Sequence, residues 1–448
     1  MKPLYAFHLI LITTAGLLTA CSKQLDLKPN NAISGTEAII DAGTARAAVY
    51  GAYDAVQDYQ RSNYPVLGFL TGDNVDFNGT LSQYLQADQV AITSENPIIS
   101  EAYRDIYKAI NSANNIIAAV PGVQDPQLAQ AEKNQILGDA YFIRALGYFD
   151  LGRGWSGVQL QLKPTTDLQS LKGIKRSTLN QTYDQVLADL ITAEQLLPDN
   201  NVRNRAGKNT VRALRARLHL YREQWTEAAT YASLLIGNKN YELVKPYQSF
   251  STAPFLSKES ILELTFSSSD ANNNYSDWYP SSLGGSFTLR PSASFVTKVN
   301  DPAIGGARKS LVATTTIAGN TVTYGNLYNR DKDRDDPVYI IRIAELYLIR
   351  AEARAHLNQI PEAREDLNAV RERADLSPVT ITGRDALLLA IENENSIEFA
   401  FEGHRWFDLV RTKRAGTVLG VTDTRKWVFP IPFADEKSDP DVQQNEGY

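Results

Sequence analysis

The chain has 448 residues, is 43% apolar and 21% charged, and carries a formal charge of −6. This is an ordinary globular composition with ample material for a core, as two or three domains or as one large repeat-built one. The mild acidity argues against a nucleic-acid partner, which needs a clustered basic surface. A single cysteine leaves no intrachain disulfide to expect.

Lys2 precedes a hydrophobic run from Leu4 to Ala20, interrupted by His8, Thr13 and Thr14. The run is short and wrongly flanked for a membrane span, and reads as an export signal over residues 1–20. It ends Leu18-Thr19-Ala20-Cys21, and Cys21 is the only cysteine. These residues resemble a bacterial lipobox, which implies lipidation of Cys21 and its use as the mature N-terminus. Each buried methylene contributes about 0.8 kcal/mol, so two or more acyl chains anchor stably. Residues 21–31, polar and carrying Pro29, read as a tether. The body, 32–448, divides into an N-terminal helical part (32–248), a loop-rich insertion (249–336) and a C-terminal part (337–448).

Helical periodicity dominates the body. Glu37 to about Tyr59 spaces its alanines, Tyr50, Tyr53 and Val56 like a packing face. Pro97 to Val120 repeats the pattern through Tyr103, Ile106, Tyr107, Ile110 and Ile117, and Pro121-Gly122 ends it. Gln127 to Leu151 is a further helix. Thr178 and Gln181 fit a capping box ahead of Tyr183, Val186 and Leu190, with Pro198 as the stop.

Two later segments resemble each other. ARLHLYREQWTEA (216–228) and AEARAHLNQIPEA (351–363) share small residues, a polar turn and a Glu-Ala pair opening a second helix. Small residues let two helices approach closely, which is the logic of a tetratricopeptide hairpin. The copies stand 135 residues apart and so are not in tandem. Hairpins are expected near 99–150, 178–221, 209–236 and 338–373. The insertion is rich in Ser, Asn, Gly and Thr, with strand-like pieces at Ile261–Phe266 and Val312–Tyr324.

Glu394 to Arg411, ENSIEFAFEGHRWFDLVR, reads as a helix, a turn at Gly403 and a second, aromatic helix. Glu394, Glu398 and Glu402 recur every fourth residue and repel one another unless cations come near. Arg405, Arg411, Lys413 and Arg414 follow at once and are the expected partners. The spacing excludes a bundle-type di-metal site, because the residue three before His404 is Phe401. Asp331 to Asp336 imitates a calcium loop but has Asp336 where glycine is required. There is no HExxH, GxSxG or phosphate-cradling motif, and no cofactor or metal is expected.

FEGHRWFDLVR resembles the near-terminal signature of the SusD/RagB family of outer-membrane nutrient-binding lipoproteins. Ile431-Pro432 with Asn445-Glu446-Gly447-Tyr448 is similar to its closing "IP…QNPGY", with Glu446 in place of proline. ALGYFDLGRGW near Ala145 and RIAELYLIRAEA from Arg342 extend the match. The resemblance implies a mainly α fold: tetratricopeptide-type hairpins forming a superhelical scaffold, packed against loop-rich irregular structure with a few short strands. It implies outer-membrane localisation on a lipid anchor facing outward, although Asp26 alone makes a thin acidic export patch. It also implies a SusC-like TonB-dependent transporter as partner and a loop-built ligand surface.

Asn274-Tyr275-Ser276-Asp277-Trp278-Tyr279-Pro280 sets three large aromatics among amides and a carboxylate within the insertion. Flat rings stack on the apolar faces of sugars, while Asn274 and Asp277 can bond hydroxyls. The same rings would serve equally to cover the scaffold's core. By resemblance, this region and the loop holding Asp73, Asn74, Asp76 and Tyr84 contribute to the ligand surface. The expected function is capture of an oligomeric nutrient, a glycan before a peptide, without catalysis. A hydrolase with paired acids in its loops and a tetratricopeptide adaptor gripping peptides are the alternatives.

Overall fold

The computed structural model describes residues 38–166 and 172–448. Cys21, the leader, the tether and the start of the body at 32 lie outside the described residues. Helices dominate, with a few short strands. The chain opens with α1 (Ala42–Gln60), α2 (Asn63–Leu70), β1 (Val75–Phe77), α3 (Ser82–Asp88), α4 (Pro97–Ala119) and α5 (Gln130–Trp155). It continues with α6 (Leu179–Leu196), α7 (Lys208–Tyr221), α8 (Trp225–Ile236), β2 (Ser260–Leu264), α9 (Asn274–Trp278) and β3 (Leu289–Pro291). Next come α10 (Ala293–Asn300), the hairpin β4 (Val312–Ile317) and β5 (Asn320–Gly325), and β6 (Val338–Arg342). The end is helical: α11 (Ile343–His356), α12 (Ile360–Arg373), α13 (Arg384–Glu398), α14 (Arg405–Arg411), α15 (Ala415–Leu419) and α16 (Phe433–Ser438).

The caps follow the residues. Thr178 receives the Gln181 amide and the Gln181 side chain returns the bond, the reciprocal box expected from Thr-x-x-Gln. Asn96 caps α4, whose first residue is Pro97, where a missing N–H costs nothing.

The two similar hairpins are α7–α8 and α11–α12, and α8 packs directly on α11. Copies that are distant in sequence are thus neighbours in space. Their turns are equivalent: Glu223 and Asn358 both take positive φ, at 56° and 61°. Gln224 and Gln359 donate to the carbonyls of His219 and Arg354 at 2.9 and 2.8 Å. Ala216, Ala228, Ala351 and Ala363 are fully buried, so the helices close on one another as small residues allow. The chain returns from the insertion through β2 and β6, which pair antiparallel as a fully buried ribbon. The hairpin expected over 338–373 therefore begins with a strand, and its first helix starts at Ile343. The branched and aromatic run Val338-Tyr339-Ile340-Ile341 suits a strand buried on both faces.

The acidic row, Glu394 and Glu398 on α13 and Glu402 in the turn after it, is neutralised, but not by the cations that follow it. Glu398 accepts Arg308 Nε at 2.6 Å and Arg342 Nη1 at 2.8 Å, and also pairs with Arg373. Glu402 meets Arg342 at 2.6 Å, and Glu394 meets Arg371 at 2.9 Å and Arg308 at 2.7 Å. Buried Glu259 joins Arg342 and Arg373 at 2.9 and 2.7 Å. Phe250 and Phe399 cover the Arg342 guanidinium at 4.3 and 4.6 Å. Arg405 turns instead to Asp73, Arg411 to Glu352 and Asp408, and Arg414 to Glu392. Long-range packing decides these partners, because only side chains from other elements reach the buried face of α13.

Gly403 makes the predicted turn with φ at +72°, a conformation that favours glycine. Beyond it, Phe407 joins Tyr64, Trp155 and Phe429 in one aromatic cluster. Trp155 Nε1 donates to the Pro430 carbonyl at 2.9 Å, and Asn445 Nδ2 donates to the Phe429 carbonyl at 2.7 Å. The widely spaced signature segments thus meet in one core. Beside the 331–336 loop, Arg330 Nη2 meets Asp333 at 2.6 Å and the Arg330 amide donates to Asp336 at 2.9 Å.

Candidate ligand-binding site

Four of the predicted residues come together. Tyr84 from α3 and Asn274, Asp277 and Trp278 from α9 line a cleft of about 240 Å³ with Arg61, Ser62, Asn63 and the α2 residues Pro65, Val66 and Phe69. The cleft lies where the helical scaffold meets the insertion, and β3 contributes Leu289.

Its walls are held firmly. Arg61, just past the end of α1, bonds Asp58 at 3.0 Å and Asp270 at 3.2 Å and lies over Phe266. Asn63 donates to Glu101 at 2.6 Å. Tyr84 stacks on Phe77 with centroids 5.3 Å apart and planes 14° apart, which fixes the ring in the wall. Burial, with Asp277 and Glu101 nearby, pushes the Tyr84 phenol up, so it stays a neutral donor. Burial also pushes the Asp277 carboxyl up, against a hydrogen bond from Thr288. The cleft therefore offers a fixed ring, a phenol, amides and a carboxyl over an apolar floor.

Trp278 corrects one expectation. It is 2% exposed, packed between Phe69 at 5.5 Å and Phe401 at 4.6 Å. A Cβ on Gly325 would stand 2.5 Å from its ring, so the β5 backbone closes the other side. Trp278 is the floor of the cleft and has no free face for a sugar. Tyr275 is buried and meets Tyr279 edge-on, while the Tyr279 hydroxyl donates to Asn326 at 2.9 Å and its ring packs on Tyr324. Tyr279 thus turns toward the β4–β5 hairpin, and neither tyrosine lines the cleft.

Asp73 and Asn74 are corrected too. Asp73 receives Arg405 Nε at 2.5 Å and Nη2 at 3.2 Å. Burial pushes its carboxyl up, but Arg405 outweighs this and holds it below the ordinary value. Buried Asn74 donates to the Ser396 carbonyl at 2.7 Å. Both clamp the loop onto α13 and α14. Their outward reading failed because only the tertiary partners, more than 300 residues away, show where they are used. Arg61, Ser62 and Asn63 were not singled out from the sequence, and the polar Arg-Ser-Asn run between two helices was the one signal.

The cleft is not the largest: another, of about 620 Å³, lies between α8, α11, α13 and α14. Its Trp225 face is already covered by His356 at 3.9 Å, and its Arg411 already binds Glu352 and Asp408. Aromatic and polar groups converge more usefully in the smaller one.

The family model described as "Starch-binding associating with outer membrane" matches residues 23–220, and that of the SusD family matches 317–421. This chain belongs to the SusD-like family. A SusD-like protein P38 from Formosa agariphila is 25% identical, with 98% of each chain aligned. A SusD-like protein from Bacteroides ovatus is 25% identical over 90% of this chain and 81% of its own. Among solved structures, a SusD superfamily protein from Bacteroides vulgatus aligns with TM-score 0.79 at 20% identity, covering 91% of this chain and 99% of that one. A laminarin-binding SusD-like protein gives TM-score 0.78 at 21% identity, over 91% and 100%. These structures share the SusD-like fold, and the second family match spans α13, Gly403 and α14.

Proposed function

We propose that this SusD-like protein captures an oligomeric glycan at the outer membrane and passes it, unaltered, to a SusC-like TonB-dependent transporter. The observation that carries the reading is the cleft itself. Ring, phenol, amide and carboxyl groups converge over an apolar floor, which is the chemistry that holds a polyol with apolar faces. The family description and two relatives support it: the laminarin-binding neighbour, and the starch-binding protein SusD of Bacteroides thetaiotaomicron, 34% identical over 26% of this chain. The lipobox-like Leu18-Thr19-Ala20-Cys21 supports a lipid anchor, and the outward orientation rests on the family resemblance. Among the described residues no helix is long and apolar enough to cross a membrane.

Calorimetry against laminarin and starch, with chromatography of the sugar afterwards, tests the reading. Saturable binding that Tyr84→Ala weakens, with no shortened sugar released, supports capture. Sugar cleavage that stops in Asp277→Asn would instead establish a hydrolase. Copurification of a barrel protein from detergent-solubilised outer membranes tests the transporter partnership, and its absence counts against that part.

A further inference from the structure

We propose a second saccharide contact, centred on Tyr50, that extends the cleft along α1 and selects for long chains. It rests on the glycan-capture reading. Tyr50 is 69% exposed, a large aromatic surface to leave in water. It overhangs a groove of about 700 Å³ whose other lining includes Asn134, Gln135, Pro198, Asn200 and Val202. An exposed ring beside three amides repeats the chemistry of the cleft at a separate place.

Helical geometry links the two. Tyr50 and Arg61 are 11 residues apart. At about 1.5 Å and about 100° per residue, Arg61 lies roughly 16 Å further along and within roughly 20° of the same face. Arg61 lines the cleft and Tyr50 the groove, so one stripe of α1 joins them. The surface between is polar: Asp54 and Ser267 to Ser269 are exposed, and Gln57 and Asp58 are half-buried.

The charges favour a neutral polymer. Arg46 Nε binds Glu132 at 2.6 Å, Arg205 Nε binds Asp139 at 2.8 Å, and Arg61 binds Asp58 and Asp270. With its arginines paired and Asp54 exposed, the stripe presents a ring, amides and hydroxyls with a slight excess of negative charge, which disfavours an anionic polymer and suits an uncharged oligosaccharide. A ligand reaching both places gains the second contact intramolecularly, so affinity should rise with chain length.

The test is calorimetry of the full chain with laminarin- and starch-derived oligosaccharides of increasing length, for the parent, Tyr50→Ala and Tyr84→Ala. Matching circular-dichroism melts establish that each variant is folded. Tyr50→Ala should bind the shortest ligands like the parent and the longest about tenfold more weakly, while Tyr84→Ala weakens both. If Tyr50→Ala matches the parent at every length, or weakens all lengths equally, the extension is wrong and the capture reading stands. If the folded parent binds no length of either series, the capture reading fails and takes this inference with it.

Discussion

Two regions of the molecule place arginines among carboxylates and do different things with them. In the knot around Glu398, three guanidiniums and the side chains of Glu259, Glu394 and Glu402 are buried together. In the 330–336 loop, Arg330 holds Asp333 and Asp335 at the surface. Geometry alone does not rank them. Removing one partner from the knot strands a charge in a low-dielectric interior, whereas water re-solvates the loop. The cleft is a third case: Asp277 and Tyr84 are half-buried and face open space rather than a full set of internal partners.

The sharpest way to break this contrast is Glu398→Ala. It should cost about 3–5 kcal/mol in denaturant unfolding, because Arg308, Arg342 and Arg373 lose their shared anion; a loss under about 1 kcal/mol would mean the knot is not structural. Trp278→Ala should cost a comparable 3–5 kcal/mol through the cavity it leaves. An unchanged melting temperature in that variant would return Trp278 to the ligand surface.

The knot also sets an acid limb. Burial pushes the Glu398 carboxyl up, but Arg373, Arg308 and Arg342 outweigh it and hold it at about 2, against an ordinary 4.5. A depressed folded value contributes stability above pH 4.5 that is lost as pH falls toward 2. Asp336 runs the other way. Burial raises it to about 6 from 3.8, so its contribution is present below 3.8 and lost as pH rises through 6. Burial also raises Asp139 to about 6, so melting curves from pH 2 to 8 should show both slopes, and Asp336→Asn should reduce, without abolishing, only the one between pH 4 and 6. A variant profile parallel to the parent's would refute the assignment to Asp336.

Smaller effects separate function from fold. Tyr84→Ala should lower glycan affinity about tenfold, with stability changed by no more than about 2 kcal/mol as its stacking on Phe77 is lost. Affinity and stability falling together in proportion would make Tyr84 a packing residue. Smallest of all, Asp333→Asn should change unfolding by less than about 0.5 kcal/mol. A larger loss would show that the loop is no mere surface cluster.

Much was legible before folding because it is local. The Thr178–Gln181 box, Pro97 at a helix start, the turn at Gly403 and the paired alanines of the two hairpins each act within a few residues, where steric and hydrogen-bond rules suffice. The signature segments were legible as a resemblance, and it identified the family and the mainly α architecture. What the chain could not declare was which partner each charged or aromatic side chain would meet. The cations nearest Glu398 in sequence are not those nearest it in space, and Trp278, polar neighbours notwithstanding, became a floor. Asp73 and Asn74 became clamps through Arg405 and Ser396. Those outcomes depend on contacts across hundreds of residues, where burial and mutual geometry decide, and the same packing gathered Arg61, Asn63, Tyr84 and Asp277 around one cleft.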